Sequence, residues 1–263
     1  MNSNPISESN KLFFGGLTQL GKKFSESISK KIIEFVEKNR DSIIQFQNYI
    51  DEIYRDFPEA LKNIIQDLAY RGWYISKEME LPEITLLAEF ITNKKYDKLD
   101  NYMCDVIESK LDQIEKEIIQ KYPNRKKIIQ SAFCAHKKGV YELSVPVFLI
   151  QADGICNELL RVHLYRKKNK KLLTAIAIEE YVSNVIMSAL VEPLRNISGL
   201  NVSTDYKNQY PIILNRHEVI HGSDLNYCKK EKSFQTISLL YYLISVVYDA
   251  VKLKNKNNLT INK

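Results

Sequence analysis

The chain has little glycine, proline, cysteine or histidine, and each scarcity excludes a class of protein. Its 263 residues include 8 glycines and 7 prolines, too few for the many tight turns of an all-β fold. The 4 cysteines lie far apart without a C-x-x-C pair, which argues against a disulfide framework and favours a reducing compartment. No Gly-rich phosphate loop and no internal repeat is present. We therefore expect a helical, cytoplasmic protein.

Long apolar runs and secretion signals are also missing from the sequence. The amino terminus lacks a basic region followed by an apolar one, and we expect no apolar run long enough to span a bilayer. Hydrophobic residues make up 44% of the chain and charged residues 27%, with a net charge of +6. These values are ordinary for a globular protein and compatible with a polyanionic partner, without requiring one. The sequence thus predicts a soluble protein without a membrane partner.

Apolar residues recur at helical spacing over most of the chain and predict an all-α fold. We expect an N-terminal helical region over 1–121, with residues 1–23 as an arm, a helical bundle over 122–254, and a flexible tail over 255–263. Residues 201–210 are expected to form a polar loop. Helices are predicted from Ile28 to Ile53, Pro58 to Leu68, Pro82 to Thr92, Leu99 to Ile118, Asn124 to Lys138, Tyr141 to Tyr165, Ile176 to Leu194, Pro211 to His221 and Phe234 to Val251.

Two of the 4 histidines lie in one short segment, Leu214 to Gly222. Its letters His217-Glu218-Val219-Ile220-His221 match H-E-x-x-H, in which two imidazoles about 40° apart on a helix bind zinc and the glutamate is the general base. A catalytic zinc needs a third protein ligand, and no H-x-x-G-x-x-H extension follows. The adjacent Arg216 is unfavourable beside a dication. A zinc metalloprotease is therefore the third hypothesis, and the favoured one has no metal and no cofactor.

The second interpretation pairs Arg216 with His221 as R-x4-H. These residues are about 140° apart on a helix, so they can address different sides of a phosphate or meet a second copy of the motif. An imidazole can move the proton of a ribose 2′-hydroxyl, and a guanidinium can hold the scissile phosphate without a metal. R-x4-H alone is a weak string, and arginine, histidine and glycine are common at helix C-termini for structural reasons.

A basic run and several polar residues accompany this motif. Arg166-Lys167-Lys168-Asn169-Lys170-Lys171 is predicted to be a solvated loop, with nucleic-acid contact as the minority alternative. His136 and His163 are predicted on helices, either at the surface or packed inside. A loop carrying Asp224, Tyr227, Lys229 and Lys230 follows the motif.

The block from Leu214 to Gly222, followed by Asp224, Tyr227 and the helix from Ser233, resembles the C-terminal part of HEPN-superfamily proteins, which carry R-x4–6-H. The stretches from Tyr122 through His136, from Tyr141 to Pro146 and from Gln151 to Gly154 look like the preceding helices of that group. The resemblance covers about residues 122–252.

The resemblance implies a metal-independent endoribonuclease that acts as a homodimer, as a toxin or phage-defence effector, with a possible antitoxin or regulatory partner. It implies that Arg216 and His221 are catalytic, that His217 lines the cleft or helps to position the phosphate, and that Asn215 orients the arginine. Asp153 either pairs with Arg216 or is a satisfied structural group. Tyr227, Lys229 and Lys230 are candidate RNA contacts, although the two lysines also suit a solvated helix start. The alternative is an RNA- or nucleotide-binding module that does not cleave.

Overall fold

A computed structural model describes residues 57–169, 171–202 and 214–261 of the chain. Over these residues the fold is all-α, as the sequence predicts, with one two-stranded β-hairpin. The predicted arm at 1–23, the helical period from Ile28 to Ile53, and most of the loop at 201–210 lie outside the described residues.

The elements follow in chain order, with single 3-10 turns between some of the helices. They are α1 (57–70), α2 (Leu81–Thr92), α3 (Tyr96–Ser109), α4 (Leu111–Lys121), α5 (Lys126–Lys137), α6 (Tyr141–Leu160), β1 (Lys167–Lys168), β2 (Lys171–Leu172), α7 (Leu173–Ala177), α8 (Val185–Leu190), α9 (Arg216–Ile220), α10 (Lys230–Tyr242), a π turn (Leu243–Val247) and α11 (Tyr248–Ile261).

Local sequence explains where several of these helices begin and end. Glu80 and Glu83 form a capping box at the start of α2, and Pro82 lies within its first turn. Gly72 follows α1 with a positive φ of 85°, and a Cβ placed there would lie 3.1 Å from the Gln235 side chain. Glycine is therefore required at that position by the backbone and by a close approach. Gly139 follows α5 with a φ of 74°, as predicted.

Several predicted helices differ from the observed ones. The single helix expected from Leu99 to Ile118 breaks at Lys110 into α3 and α4. A 3-10 turn occupies Pro123–Arg125, so α5 begins at Lys126 rather than after Asn124. The helix α6 ends at Leu160 because Arg161 adopts a left-handed φ of 59°, and His163 lies beyond it in a turn. The helix predicted to start at Pro211 begins only at Arg216, because Leu214 and Asn215 are not helical and Asn215 is the N-cap; residues 211–213 lie outside the described residues.

The continuous helix predicted from Ile176 to Leu194 is wrong. A 3-10 turn over Ile178–Tyr181 ends the first piece, and α8 starts anew at Val185. The side chain of Asn184 causes this second start, since its Oδ1 accepts the amide of Met187 at 2.8 Å. The helix is therefore interrupted where the apolar period alone predicts a continuous one.

The basic run forms a hairpin rather than an irregular loop. Lys167 pairs with Leu172 and Lys168 with Lys171 in antiparallel register. The amide of Leu173 donates to the carbonyl of Arg166 at 2.9 Å and closes the base of the hairpin.

The core lies between α5, α6 and α10, because α6 packs against both of the others. One hydrophobic cluster extends from Leu61 to Val251 and includes the fully buried Trp73 and Phe148. Buried residues on both sides of the predicted boundary at residue 122 therefore belong to the same cluster. Whether the two sides are separate folding units stays a prediction.

A π turn joins α10 to α11, and a group of partly buried charges surrounds it. Lys121 donates to the carbonyl of Ile244 within the turn at 2.6 Å and lies 3.6 Å from Asp249. Lys77 lies 3.5 Å from the same carboxylate. Helix α11 extends through Ile261, so most of the segment expected to be a flexible tail is helical.

Within the described residues, two helical segments are long and apolar enough to cross a bilayer, contrary to the expectation from sequence. They are α6 and the segment Lys230–Lys254 through α10 and α11. Their most apolar stretches are 50% and 78% buried inside the fold. Buried core helices share this length and composition, so the two segments are weak evidence for a membrane span.

Candidate functional site

The conspicuous motif forms α9, and Asn215 fixes its start. The Asn215 side chain is 4% exposed, and its Oδ1 accepts the amides of His217 and Glu218 at 3.0 and 3.2 Å. Its Nδ2 donates to the carbonyls of Gly199 and Val202, each at 3.0 Å. Asn215 thus caps α9 and ties the helix to the loop that precedes the undescribed segment.

Arg216 is held from its backbone and from its side chain. Its amide donates to the carbonyl of Leu200 at 3.0 Å. Its guanidinium carbon lies 4.8 Å from the centre of the Tyr165 ring, a stacking distance at which cation and ring attract. Arg216 itself is half-buried. The position of the guanidinium is therefore set by a residue far away in the sequence.

Tyr165 is a part of this site that the sequence analysis missed. Burial raises the pKa of its hydroxyl well above the ordinary value, and the charge of Arg216 opposes that rise. The hydroxyl oxygen is buried without a hydrogen-bond partner among the described residues. The only sequence signal was an aromatic residue directly before the basic run.

The imidazoles of His217 and His221 lie side by side at the protein surface. Their ring centres are 4.3 Å apart with planes tilted by 55°, as four-residue spacing on a helix predicts. Both residues are exposed. His221 is the C-cap residue, its amide donating to the carbonyl of His217 at 3.0 Å, and Gly222 follows with a φ of 70°. The pair is accessible to a ligand from solvent.

The same geometry bears on the two interpretations of the motif. A metal needs more than two imidazoles, and the described residues contain no group of three or more His, Cys, Asp or Glu side chains that could hold one. Arg216 is turned toward Tyr165, whereas His221 lies beside His217. The arrangement therefore offers two exposed imidazoles next to one half-buried cation, all on a single short helix.

Asp153 has partners other than Arg216. Its Oδ1 accepts the amide of Leu164 at 2.8 Å, and its Oδ2 lies 3.0 Å from Nδ1 of His163. No ion pair between Asp153 and Arg216 occurs within the described part of the chain. The carboxylate thus has the structural role that was one of the two alternatives: it holds the turn after α6.

Tyr227 and Lys230, which follow the motif, contact two different helices. The hydroxyl of Tyr227 donates to the carbonyl of Glu142 at the start of α6, at 3.1 Å. Lys230 forms an ion pair with Glu108 on α3 at 3.0 Å. Lys229 is exposed and provides the N-cap position of α10. Lys230 is therefore engaged elsewhere, and Lys229 lies at a helix start.

A second polar group, also missed, lies buried beneath α10. Nδ1 of His136 is 2.7 Å from Oγ of Ser233, which is 2.8 Å from Oγ of Ser144. All three residues are buried. Burial lowers the pKa of His136 to about 4. Because no solvent reaches this group, we assign it to the core rather than to a site.

No protein-family model, curated protein or solved structure matches the chain.

Proposed function

We propose that the protein is a metal-independent endoribonuclease in which Arg216 and His221 are the catalytic residues. The observation that carries the proposal is the placement of both on one capped helix, with the His221 imidazole exposed and the Arg216 guanidinium fixed against Tyr165. The resemblance of the motif and its surroundings to HEPN-superfamily proteins supports the same choice. On that resemblance we also propose a cytoplasmic homodimer that acts as a toxin or phage-defence effector.

The chemistry requires only these groups and the RNA. The ribose 2′-oxygen attacks the adjacent phosphorus, and the bond from phosphorus to the 5′-oxygen breaks. An imidazole takes the proton of the 2′-hydroxyl or, when protonated, supplies one to the leaving oxygen. The guanidinium of Arg216 neutralises the charge that grows on the phosphate. The products are a 2′,3′-cyclic phosphate and a 5′-hydroxyl. We assign to His217, beside His221, the positioning of the phosphate.

A binding module that does not cleave is the second candidate. The stacking of Arg216 on Tyr165 favours it, because a guanidinium used for packing stabilises the fold whether or not chemistry occurs nearby. Such a protein binds RNA or a nucleotide without turnover at any protein concentration.

Cleavage of single-stranded RNA in EDTA, with analysis of the product ends, tests the proposal. We expect cyclic-phosphate and 5′-hydroxyl ends, and a loss of about 10²-fold or more for Arg216→Ala and for His221→Ala. His163→Ala is the histidine control, since this exposed imidazole is bound to Asp153 and is not part of the motif. Activity that survives both motif substitutions contradicts the assignment. Inactivation by chelator, together with an equal effect of Glu218→Gln, identifies a metalloenzyme instead.

A further inference from the structure

The hairpin next to the candidate site carries an unusual concentration of positive charge. Between Glu158 and Glu179 the sequence contains no acidic residue. The same stretch contains six arginines and lysines: Arg161, Arg166, Lys167, Lys168, Lys170 and Lys171. Of these, the cations that the structure describes form no ion pair with a described carboxylate. Lysines elsewhere in the fold, such as Lys137 and Lys230, do form such pairs.

The register of the hairpin places like charges against each other. Lys168 lies directly opposite Lys171 across the two strands, and both side chains are exposed. Two like charges at directly opposed positions destabilise a strand pair. Lys167 is half-buried, and burial lowers the pKa of its ammonium group. A local arrangement that works against stability is typical of a surface that meets a ligand of opposite charge.

The hairpin begins directly beside the motif. Tyr165, whose ring lies under the Arg216 guanidinium, immediately precedes Arg166, and the base of the hairpin closes at Arg166 and Leu173. A polyanion bound along the hairpin therefore extends toward Arg216 and α9.

We propose that the hairpin formed by β1 and β2, with Arg166 at its base, binds the phosphodiester backbone of single-stranded RNA and directs the strand to the α9 site. The proposal rests on the proposed function for the identity of the polyanion. The hairpin contributes affinity without sequence preference, because its contacts are charges on phosphates. Arg216 and His221 remain the groups that act on the scissile phosphate.

Binding and cleavage are measured separately, so that the hairpin and the enzyme are tested independently. Binding uses the full chain with His221→Ala, which leaves the strand uncut, and a fluorescein-labelled oligouridylate titrated at several salt concentrations. The test variant adds Lys167→Ala, Lys168→Ala and Lys171→Ala. The control variant instead replaces Lys98, Lys116 and Lys127, which are exposed lysines on α3, α4 and α5. Both variants lose the same charge, and circular dichroism verifies their fold.

Loss of three phosphate contacts lowers the slope of log K against log salt by about 2 for a single strand. We expect this decrease for the hairpin variant and a clearly smaller one for the control. An unchanged slope, or equal decreases in the two variants, overturns the proposal. The proposal is also overturned if the hairpin variant binds RNA normally but no longer binds phosphatidylserine vesicles, because the surface then binds a membrane.

Cleavage by the chain with an intact His221 separates the two proposals. If the hairpin variant shows a reduced salt slope but the wild-type protein cuts no RNA, the binding surface is supported and the nuclease is refuted. Cleavage with an unchanged slope supports the nuclease and refutes the binding surface.

Discussion

A glycine in the middle of α6 makes room for the half-buried guanidinium of Arg125. Both terminal nitrogens of Arg125 lie 2.9 Å from where a Cβ on Gly154 would be. Arg125 donates to Gln151 at 2.7 Å and pairs with Glu158. Gly154 therefore allows α6 to hold the start of α5 in place, at the conformational cost that glycine brings to a helix.

We expect Gly154→Ala to lower the free energy of unfolding by about 1 kcal/mol, because the methyl group displaces Arg125 from Gln151. In an Arg125→Ala background the sign reverses, and Gly154→Ala stabilises the helix by about 0.5–1 kcal/mol. Chemical denaturation of the four proteins of this double-mutant cycle measures both effects. Equal effects in the two backgrounds would show that Arg125 and Gly154 are not coupled.

The buried His136 makes stability depend on pH. Its pKa is lowered from 6.5 to about 4 in the fold, chiefly by burial, with Glu108 opposing and Lys230 and Lys137 adding to the shift. Between pH 6.5 and about 4, His136 binds a proton in the unfolded chain but not in the folded chain. Stability therefore falls as the pH drops from about 6.5 to about 4, by about 3 kcal/mol from this group.

Denaturant unfolding of the wild type and of His136→Gln across this pH range tests the assignment. We expect the difference in unfolding free energy between the two proteins to shift in favour of the variant toward pH 4. Parallel pH profiles would show that His136 already takes up its proton within the fold.

At the scale of elements, the sequence predicted helices better than it predicted their interruptions. The stripes that became α3, α4 and α10 follow from apolar spacing alone. The breaks at Lys110 and Asn184 do not follow from it. A continuous helix and an interrupted one bury similar sets of apolar side chains, so contacts with neighbouring elements decide between them. Likewise the motif residues were visible in the sequence, whereas Tyr165 was not, since only the folded chain brings its ring to Arg216.

Asn215 both caps α9 and donates to two loop carbonyls, and two substitutions separate these roles. Asn215→Ala removes the cap and the two donors, and we expect a loss of about 1–2 kcal/mol or more. Asn215→Asp preserves the cap, since aspartate is an equally good N-cap residue. However, it turns a carboxylate oxygen toward the carbonyls of Gly199 and Val202.

We therefore expect Asn215→Asp to lose at least as much stability as Asn215→Ala at neutral pH. Denaturation, together with hydrogen exchange of the α9 amides, measures this loss. An Asn215→Asp protein as stable as the wild type would show that Asn215 acts only as a helix cap.

At the scale of the whole molecule, the fold ties its early helices to its late ones. Trp73, the only tryptophan, is 0% exposed and donates to Asp100 at 2.7 Å. Gln235 on α10 donates to the carbonyl of Arg71 at 3.0 Å. The hydroxyl of Tyr241 bonds to Glu117 at 3.0 Å. The contacts of Gln235 and Tyr241 cross the predicted boundary at residue 122, whereas the Trp73–Asp100 bond lies within the N-terminal region.

We expect the fluorescence of Trp73 and the thiol reactivity of Cys156 to change at the same denaturant concentration. Cys156 is buried in α6, and replacing the other three cysteines by serine makes its labelling specific. Coincident transitions indicate one cooperative unit. Two separate midpoints would instead indicate the independent regions 1–121 and 122–254.

The π turn at Leu243–Val247 sets the rotational phase of the last helix. A π turn is closed by i→i+5 hydrogen bonds and takes up one residue more than an α-helical turn. Winding the same five residues as ordinary α-helix would therefore rotate α11 relative to α10 and swing Asp249 away from Lys77 and Lys121, which it now meets at 3.5 and 3.6 Å. Deleting one residue removes the extra residue together with the turn, so α11 keeps its orientation better after a one-residue deletion in this segment than after a one-residue insertion.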